Sequence, residues 1–393
     1  MQTPQLDVDF SNSVGISDPF EVWEDVRATG RVVWNGVQRG WMVTGYDDCS
    51  EVFDDTWGER FGMFSRDALF WFDAQNMIIV DGKEHRRLRR GLSRYFTPAA
   101  IGRTWEARVR DVVDSLLAPL VQSNEVIGLE EFTKLPVVIV AEMLGVPEEH
   151  HEDFRRWSIA IVDNVAYGRE GTDARRLIEE AMGELNAYLD EEIERHRRDQ
   201  PDDLLTLMVN MPDWTEAEMR STATVLLLAG YDTTAKLMGS ALLALQEHPD
   251  QRRLLVDQPA LIPNAIEEIL RWDGVATVIA RRMVKDTELA GVEMAAGDTV
   301  YLFLGAANRD PSRWSDPHRF DVTRPYKPNL GFGSGPHVCI GAPLARLEVK
   351  IALEELLRLA PEYRLRAVEY GHTFMNHGPE KGVIDIGVLS VTR

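Results

Sequence analysis

Cysteine is scarce in this chain, because Cys49 and Cys339 are the only two among 393 residues. Two cysteines are too few for a disulfide framework and fit a reducing compartment. The sequence also lacks an uninterrupted apolar run of about 18 residues, the length that a membrane-spanning helix needs. Its first residues, MQTPQLDVDFSNS, have neither a basic nor an apolar segment, so no signal peptide is expected. These absences predict a cytoplasmic protein that does not contact membranes.

Basic residues are outnumbered by acidic ones, 43 against 64, which gives a net charge of -21. Such an acidic balance excludes nucleic acid or anionic lipid as a partner bound through a general field. One segment is the exception, with six basic residues against the single acid Glu84: Lys83, Arg86, Arg87, Arg89, Arg90 and Arg94. A solvated helix face is the simplest explanation of that segment, and it stays open beside a functional one.

Helical periodicity covers most of the chain, and it is longest from Thr215 to about Glu247. Thr215 and Glu218 form a capping-box pattern at its start. A helix of that length would span roughly 48 Å, which suggests a central rod through a large domain. Short β-like runs occur near residues 31–44, 277–303 and in the last thirty residues. The pattern predicts one domain over residues 1–393, mainly α with a small β-rich lobe (α+β).

A cysteine among glycines and a proline occurs in the run FGSGPHVCIG at residues 332–341. These residue types predict a tight loop whose backbone approaches another group closely. A thiolate inside a protein requires a coordinating cation or amides that point at it. A lone cysteine is more often a buried structural residue. However, the run matches, at every fixed position, the FGxGxHxCxG haem-ligand loop of the cytochrome P450 family. The chain therefore resembles a bacterial cytochrome P450.

That resemblance implies the P450 fold, with the long central helix over a haem b (iron protoporphyrin IX). It makes Cys339 the axial metal ligand and places Phe332 beside the haem. A thiolate ligand favours O–O cleavage, so the implied enzyme is a monooxygenase with O2 as co-substrate. The sequence ExxR at 268–271 would by itself be an ordinary exposed helix pair. In the family it forms a structural clamp behind the loop, which here would consist of Glu268, Arg271 and Arg324.

The long segment contains AGYDTT at residues 229–234, in the middle of the helix. Glycine and β-branched residues lower helix stability there, and a small-residue crossing point between helices is one explanation. The resemblance implies instead an oxygen-activation motif. In that motif the Thr233 hydroxyl bonds to the carbonyl of Ala229 and opens the helix locally. Asp232 and Thr233 would be the catalytic pair that relays protons, while Thr234 is expected to pack.

The basic segment resembles the family helix whose His and Arg reach the haem propionates. His85 and Arg89, at i and i+4, share one helix face. His337 and Arg281 match further propionate partners, although Arg282 competes with Arg281 because strand register can slip by one. Residues expected in the substrate pocket, each of which could equally be core, are Phe70, Trp71, Phe72, Val225, Leu228, Thr277 and Ile279. Ala229 is expected to face the haem as a cofactor contact.

The remaining arginines would face a redox partner. The resemblance implies electrons from NAD(P)H through a separate ferredoxin reductase and an acidic ferredoxin, which would dock near Arg86, Arg87 and Arg90. A monomer is expected, with a small hydrophobic substrate; a terpenoid, an aromatic and a macrolide precursor stay open. Two other functions remain: a peroxide-driven haem peroxygenase, which Asp232 and Thr233 disfavour, and a non-catalytic haem-binding sensor, which the relay and the apolar pocket disfavour.

Overall fold

Helices make up most of the fold and surround one long central helix. The structure, a computed structural model, describes residues 4–9, 19–55, 58–63, 75–123, 126–166, 172–370 and 376–386. The helices are α1 (Phe20–Thr29), α2 (Tyr46–Phe53), α3 (Gly82–Ser93), α4 (Pro98–Ser123), α5 (Leu129–Phe132), α6 (Leu135–Met143), α7 (His151–Ala166), α8 (Thr172–Asp199), α9 (Leu204–Val209), α10 (Glu216–Glu247), α11 (Pro249–Asp257), α12 (Ile262–Trp272), α13 (Leu304–Ala307) and α14 (Ala342–Leu359). No described helix has the length and hydropathy needed to cross a membrane.

The strands form a small β-rich part, as the sequence predicts. They are β1 (Val32–Asn35), β2 (Gly40–Val43), β3 (Phe61–Met63), β4 (Ile127–Gly128), β5 (Val278–Met283), β6 (Thr287–Leu289), β7 (Val292–Met294), β8 (Thr299–Phe303), β9 (Arg364–Tyr370) and β10 (Pro379–Asp385). The largest sheet has the order β1-β2-β8-β5-β3, in which only β2 and β8 are parallel. Strand β10 pairs with β4 and β9, and β6 pairs with β7. The prediction of a mainly α fold with a β-rich lobe is confirmed.

Apolar side chains fill one large core between the helices and two smaller ones on the faces of the five-stranded sheet. Along β8, Leu302 packs on one face of that sheet and Phe303 on the other, because successive side chains in a strand alternate. The large core includes Leu227 and Leu237 of α10.

Helix α10 begins with the capping box that the sequence predicts. The Thr215 side chain accepts a hydrogen bond from the Glu218 N–H, and the Glu218 carboxylate accepts one from the Thr215 N–H at 2.9 Å. Residues 221–227 are buried on every side of the helix, whereas residues 228–233 are only partly buried and Ala229 is exposed. A helix buried all round belongs in the interior of a large protein. The exposed centre therefore marks an internal opening.

Close packing of a glycine against a tryptophan joins α13 to α1. A Cβ added at Gly305 would lie 2.1 Å from the ring of Trp23, which is 2% exposed and cannot move aside. Gly183 of α8, by contrast, has no heavy atom within 4 Å of the same position.

These two glycines define a matched stability test. Gly305→Ala should destabilise the protein by about 1–3 kcal/mol through overpacking. Gly183→Ala should stabilise it by up to about 1 kcal/mol, because alanine is the better helix former. The midpoint of urea denaturation measures both. A Gly305→Ala protein as stable as Gly183→Ala would contradict the tight contact.

Candidate active site

An internal cavity of about 350 Å³ lies where the centre of α10 faces the loop that carries Cys339. Ala229 and Thr233 line it from α10, and Leu344 lines it from α14. Arg89 of α3 and Arg281 of β5 also reach it. The cavity therefore collects residues from elements that are far apart in sequence.

The loop before α14 places Cys339 at the cavity wall. Its backbone is held by hydrogen bonds from the Gly333 N–H to the Leu330 carbonyl and from the Cys339 N–H to the Phe332 carbonyl, both 2.9 Å. Gly333 and Gly335 have φ values of 68° and 67°, which side-chain-bearing residues rarely adopt. A Cβ at Gly335 would lie 2.2 Å from the carbonyl oxygen of Phe53, so this loop packs directly on the end of α2.

The Cys339 thiol is accessible from the cavity, whereas the thiol of Cys49 is fully buried elsewhere. Burial raises the pKa of Cys339, and the backbone N–H groups of Gly341 and Ala342 together with Arg89 act against that rise. The start of α14 adds the positive end of a helix dipole close to the sulfur. Burial outweighs these groups, so the pKa of Cys339 stays above its usual value, and a coordinating cation would be needed to hold the sulfur as a thiolate.

Three basic side chains near Cys339 could bind an anion: those of Arg281, Arg89 and His85. Arg281 is 6% exposed, its Nη1 donates to the Ala280 carbonyl at 3.0 Å, and no described carboxylate forms an ion pair with it. Burial lowers the pKa of Arg281 to about 10. Arg89 donates to the Val338 carbonyl at 2.5 Å. His85 has a buried Nε2 with no partner, and burial, followed by its neighbours His337 and Arg89, lowers the pKa of His85 to about 4.

His337 lies against His85, with 4.0 Å between the ring centroids. Its Nε2 bonds to Asp81 at 2.8 Å, and Asp81 also accepts from the Met63 N–H at 2.7 Å. Burial raises the pKa of Asp81, but the hydrogen bonds from His337 and the Met63 N–H together with the charges of His337 and Arg281 outweigh burial, so that pKa lies below its usual value. Asp81 was not expected from the sequence, although its place just before α3 is a usual position for an acid.

These features fit a haem. The buried nitrogen of His85, which has no partner in the structure, and the cation of Arg281, which forms no ion pair with a described carboxylate, match the anionic propionates. The accessible thiol of Cys339 matches an iron ligand. Within the described residues no three His, Cys, Asp or Glu side chains gather as a metal site.

Across the cavity from Cys339, the Thr233 hydroxyl donates to the Ala229 carbonyl at 2.8 Å, the bond that the sequence motif predicts. Thr234 also lines the cavity, in addition to packing. Asp232 does not line it, because Lys236 bonds to both of its carboxylate oxygens at 2.8 and 2.9 Å. Gly230 lies at a helix crossing as well, since a Cβ there would be 2.8 Å from Val140 of α6.

Glu268, Arg271 and Arg324 meet behind the Cys339 loop. Arg271 donates to both Glu268 carboxylate oxygens at 2.7 and 2.8 Å, and Arg324 donates to one at 3.1 Å. The two arginines also bond to backbone carbonyls, among them that of Arg319, at 3.1 Å from Arg271 and 2.8 Å from Arg324. The cluster thus fastens the segment before the loop to α12.

Two of the residues that the sequence predicts in the substrate pocket, Leu228 and Thr277, do not line the cavity. Leu228 packs against the helical core, and Leu226 lines the cavity in its place, because the cavity face of α10 follows positions 225, 226, 229, 230, 233 and 234. Thr277 is fully buried and does not line the cavity, whereas Ile279, two residues along β5, does. Phe70, Trp71 and Phe72 lie outside the described residues.

The sequence left open whether Arg281 or Arg282 is the candidate propionate partner, and their positions in β5 differ. Arg281 points inward and lines the cavity, while Arg282 is exposed on the outer face. Because successive side chains in a strand alternate, the two arginines lie on opposite faces of the sheet.

Arg87, which the sequence predicts at the surface for the redox partner, is only partly exposed, and its charge is already paired. It donates to the Asp213 carbonyl at 2.8 Å and forms ion pairs with Glu84, at 2.9 Å, and with Glu218. The long side chain of Arg87 thus reaches Glu218 in the capping box at the start of α10. Arg90 and Arg94 are exposed. A surface groove, which we call the basic groove, is lined by five basic side chains together with Met211 and Trp214: Lys83, Arg86, Arg87, Arg90 and Arg94.

The comparisons with known proteins agree with this geometry. The family model "Cytochrome P450" matches residues 159–360. The chain is 36% identical to a vitamin D(3) 25-hydroxylase of Pseudonocardia autotrophica, over 83% of this chain and 81% of that protein. It is 35% identical to the cytochrome P450 monooxygenase PikC of Streptomyces venezuelae, over 92% of this chain and 88% of that one.

A solved structure of similar shape is P450BioI in complex with an acyl carrier protein that carries hexadec-9Z-enoic acid. It has a TM-score of 0.89 and 30% identity, and the match covers 95% of this chain and 99% of that chain. The fold and the cavity with its loop cysteine are those of a haem monooxygenase, an oxidoreductase. The chain belongs to the cytochrome P450 family.

Proposed function

We propose that this P450 inserts one atom of O2 into a small hydrophobic molecule held in the cavity, with haem b bound through Cys339. The observation that carries the proposal is the accessible Cys339 thiol, which faces the opened centre of α10 across a cavity. Haem b bound there supplies the activation of O2. The residues of the chain hold the cofactor, orient the substrate and move protons.

The cofactor would be held by charge as well as by the thiolate. His85, Arg89, Arg281 and His337 would bind the propionates through charge-assisted hydrogen bonds. Phe332 would pack beside the haem, since its ring lines the cavity and lies 4.6 Å from the guanidinium of Arg346. The cluster of Glu268, Arg271 and Arg324 would act as a scaffold for the loop and take no part in the chemistry.

Protons would reach the cavity through α10. The Thr233 hydroxyl lies at the cavity wall and its bond to Ala229 fixes its direction. Asp232 is the adjacent acid and would reload that hydroxyl from the side away from the cavity.

An apolar lining supports a hydrophobic substrate. Met63, Val225, Leu226 and Ile279 line the cavity, and its described charged lining groups cluster around Cys339 and α14. A pocket of this type fixes its ligand mainly by shape and apolar contact. The named relatives fit the same class, because one is a vitamin D(3) 25-hydroxylase and another is in complex with an acyl carrier protein that carries a fatty acid.

Electrons would come from NAD(P)H through a ferredoxin reductase and an acidic ferredoxin, with the monomeric P450 in the cytoplasm beside them. Helix α3 touches the Cys339 loop, because Arg89 bonds to the Val338 carbonyl. A partner at the basic groove would therefore lie close to the thiolate side of the haem. Opposite charge would speed the encounter.

The role of Cys339 can be tested by spectroscopy. The reduced carbon monoxide complex of the wild type should show the long-wavelength Soret band for which the family is named. Cys339→His should lose that band, because the thiolate is gone. Cys49→Ser should keep it, since Cys49 is buried away from the cavity. A Cys339→His protein that retained the band would exclude Cys339 as the ligand.

The proton relay can be tested by coupling measurements with reductase and ferredoxin. Thr233→Ala should still consume NAD(P)H but release hydrogen peroxide in place of product. Asp232→Asn should slow the whole cycle by about a hundredfold, the scale of one general acid. Thr222→Ala is the matched control, because this buried threonine of α10 has an unpartnered hydroxyl away from the cavity. Tight coupling in Thr233→Ala would remove that residue from the relay, and equal turnover with peroxide alone would favour a peroxygenase.

Docking of the ferredoxin can be tested by charge reversal. Arg86→Glu with Arg90→Glu should slow reduction about tenfold with substrate affinity unchanged, because the steering field is lost. Wild-type reduction should slow as salt rises beyond about 0.1 M, where the screening length is about 10 Å. Arg176→Glu, an exposed reversal on α8, is the control. A reduction rate independent of salt would contradict electrostatic docking at the basic groove.

A further inference from the structure

A buried lysine joins the acid of the α10 motif to the end of the chain. Lys236 is 2% exposed and lies one helical turn after Asp232. Its Nζ is 2.8 Å from Oδ1 and 2.9 Å from Oδ2 of Asp232. The same Nζ is 3.0 Å from Oε1 of Glu380 in β10. One ammonium is therefore shared by two carboxylates from different elements.

The backbone at the start of β10 is pressed against α10 at this point. A Cβ on Gly378 would lie 2.8 Å from the Cβ of Lys236 and 3.1 Å from its carbonyl oxygen. A Cβ on Gly239, almost one turn further along α10, would lie 3.0 Å from the Pro379 carbonyl oxygen. This contact fixes Glu380 beside Lys236, while the Glu380 side chain stays 28% exposed.

The charges of the three groups do not balance, because two carboxylates share one cation. Burial lowers the pKa of Lys236, but attraction to Asp232 and Glu380 outweighs burial, so that pKa lies above its usual value. The lysine therefore stays charged, and its three donors meet three carboxylate oxygens at 2.8, 2.9 and 3.0 Å. The two carboxylates repel each other across it, so loss of one carboxylate charge strengthens the hold of the ammonium on the other.

The bond to Lys236 also controls where Asp232 points. Asp232 is directed away from the cavity, which Thr233, the next residue, lines. An acid that reloads the Thr233 hydroxyl has to leave Lys236 for part of each cycle. The strength of the Lys236 contact therefore limits how often Asp232 is available.

We propose that Lys236 is a positioning residue that holds Asp232 out of the cavity, and that Glu380 competes for the same ammonium and so sets how readily Asp232 is released toward Thr233. The proposal rests on the proton relay of the proposed function. It predicts opposite effects for the two partners of Asp232. Loss of the Glu380 charge tightens the hold on Asp232, whereas loss of the Lys236 charge removes it.

The test compares Glu380→Gln, Lys236→Met and Lys236→Arg in the haem-loaded enzyme with saturating reduced ferredoxin. Glu380→Gln should lower turnover about threefold or more, the scale of coupling between charges in contact, and should increase the solvent deuterium isotope effect. Lys236→Met should turn over at least as fast as wild type with a smaller isotope effect. Lys236→Arg should restore wild-type behaviour, because it keeps the cation.

Crystal structures of the same variants give a readout independent of activity. The Asp232 side chain should turn toward the cavity in Lys236→Met and keep its bond to Lys236 in Glu380→Gln. Turnover that falls in both variants with an unchanged isotope effect would reduce the triad to a structural contact and overturn the proposal. If Lys236→Met does not fold, Glu380→Gln alone still decides, since unchanged turnover there also overturns it.

The Asp232→Asn variant distinguishes a failure of the proton relay from a failure of the positioning role of Lys236. If Asp232→Asn leaves turnover and the isotope effect unchanged, the relay itself is wrong. If Asp232→Asn slows turnover while Lys236→Met and Glu380→Gln have no effect, the relay stands and the positioning role of Lys236 is wrong.

Discussion

The passage of α10 through the middle of the fold is the constraint on which the site depends. Residues 221–227 and 236–242, on either side of its centre, are buried and pack into the helical core. Residues 228–233 between them are only partly buried, and Ala229 and Thr233 line the cavity. In the same stretch Gly230 lies against Val140 of α6. The two buried stretches thus fix the position of the helix at the cavity, where Thr233 lies.

The Cys339 loop is fixed from behind with comparable rigidity. Glu268 and Arg271 are 3% and 2% exposed, and such a buried pair is stable only when every remaining polar group has a partner. The backbone carbonyls of the segment before the loop provide those partners. The ion pair between Glu268 and Arg271 thereby helps to fix the conformation of the irregular loop that carries Cys339. The Cys339 thiol and the Thr233 hydroxyl thus line one cavity, each held by its own support.

Much of this could be predicted from the sequence, because many of the deciding interactions are local. The capping box of Thr215 and the bond from Thr233 to Ala229 each join residues three or four positions apart, which helical geometry brings together. Likewise, the loop around Cys339 is one continuous run. Local spacing did not fix the rotation of α10 about its axis, so Leu228 was placed on the wrong face.

The interactions that could not be predicted join distant parts of the chain. Arg87 looked like one of several equivalent surface arginines until Glu218 and Asp213 were placed beside it by tertiary packing. The partnership of Lys236 with Asp232 follows the i, i+4 rule, yet the approach of Glu380 has no signal in the sequence. The separation of Arg281 from Arg282 required the strand register, which only the assembled sheet defines.

The charge of the basic groove is opposite in sign to the net charge of the chain. The chain carries 64 acidic and 43 basic residues, so most of its exterior repels an acidic protein. The basic groove, with Lys83, Arg90 and Arg94, has the opposite sign. Specificity of this kind would come from repulsion as well as from attraction. An acidic partner such as the proposed ferredoxin would be repelled in unproductive orientations and attracted in the orientation that brings it next to the loop of Cys339.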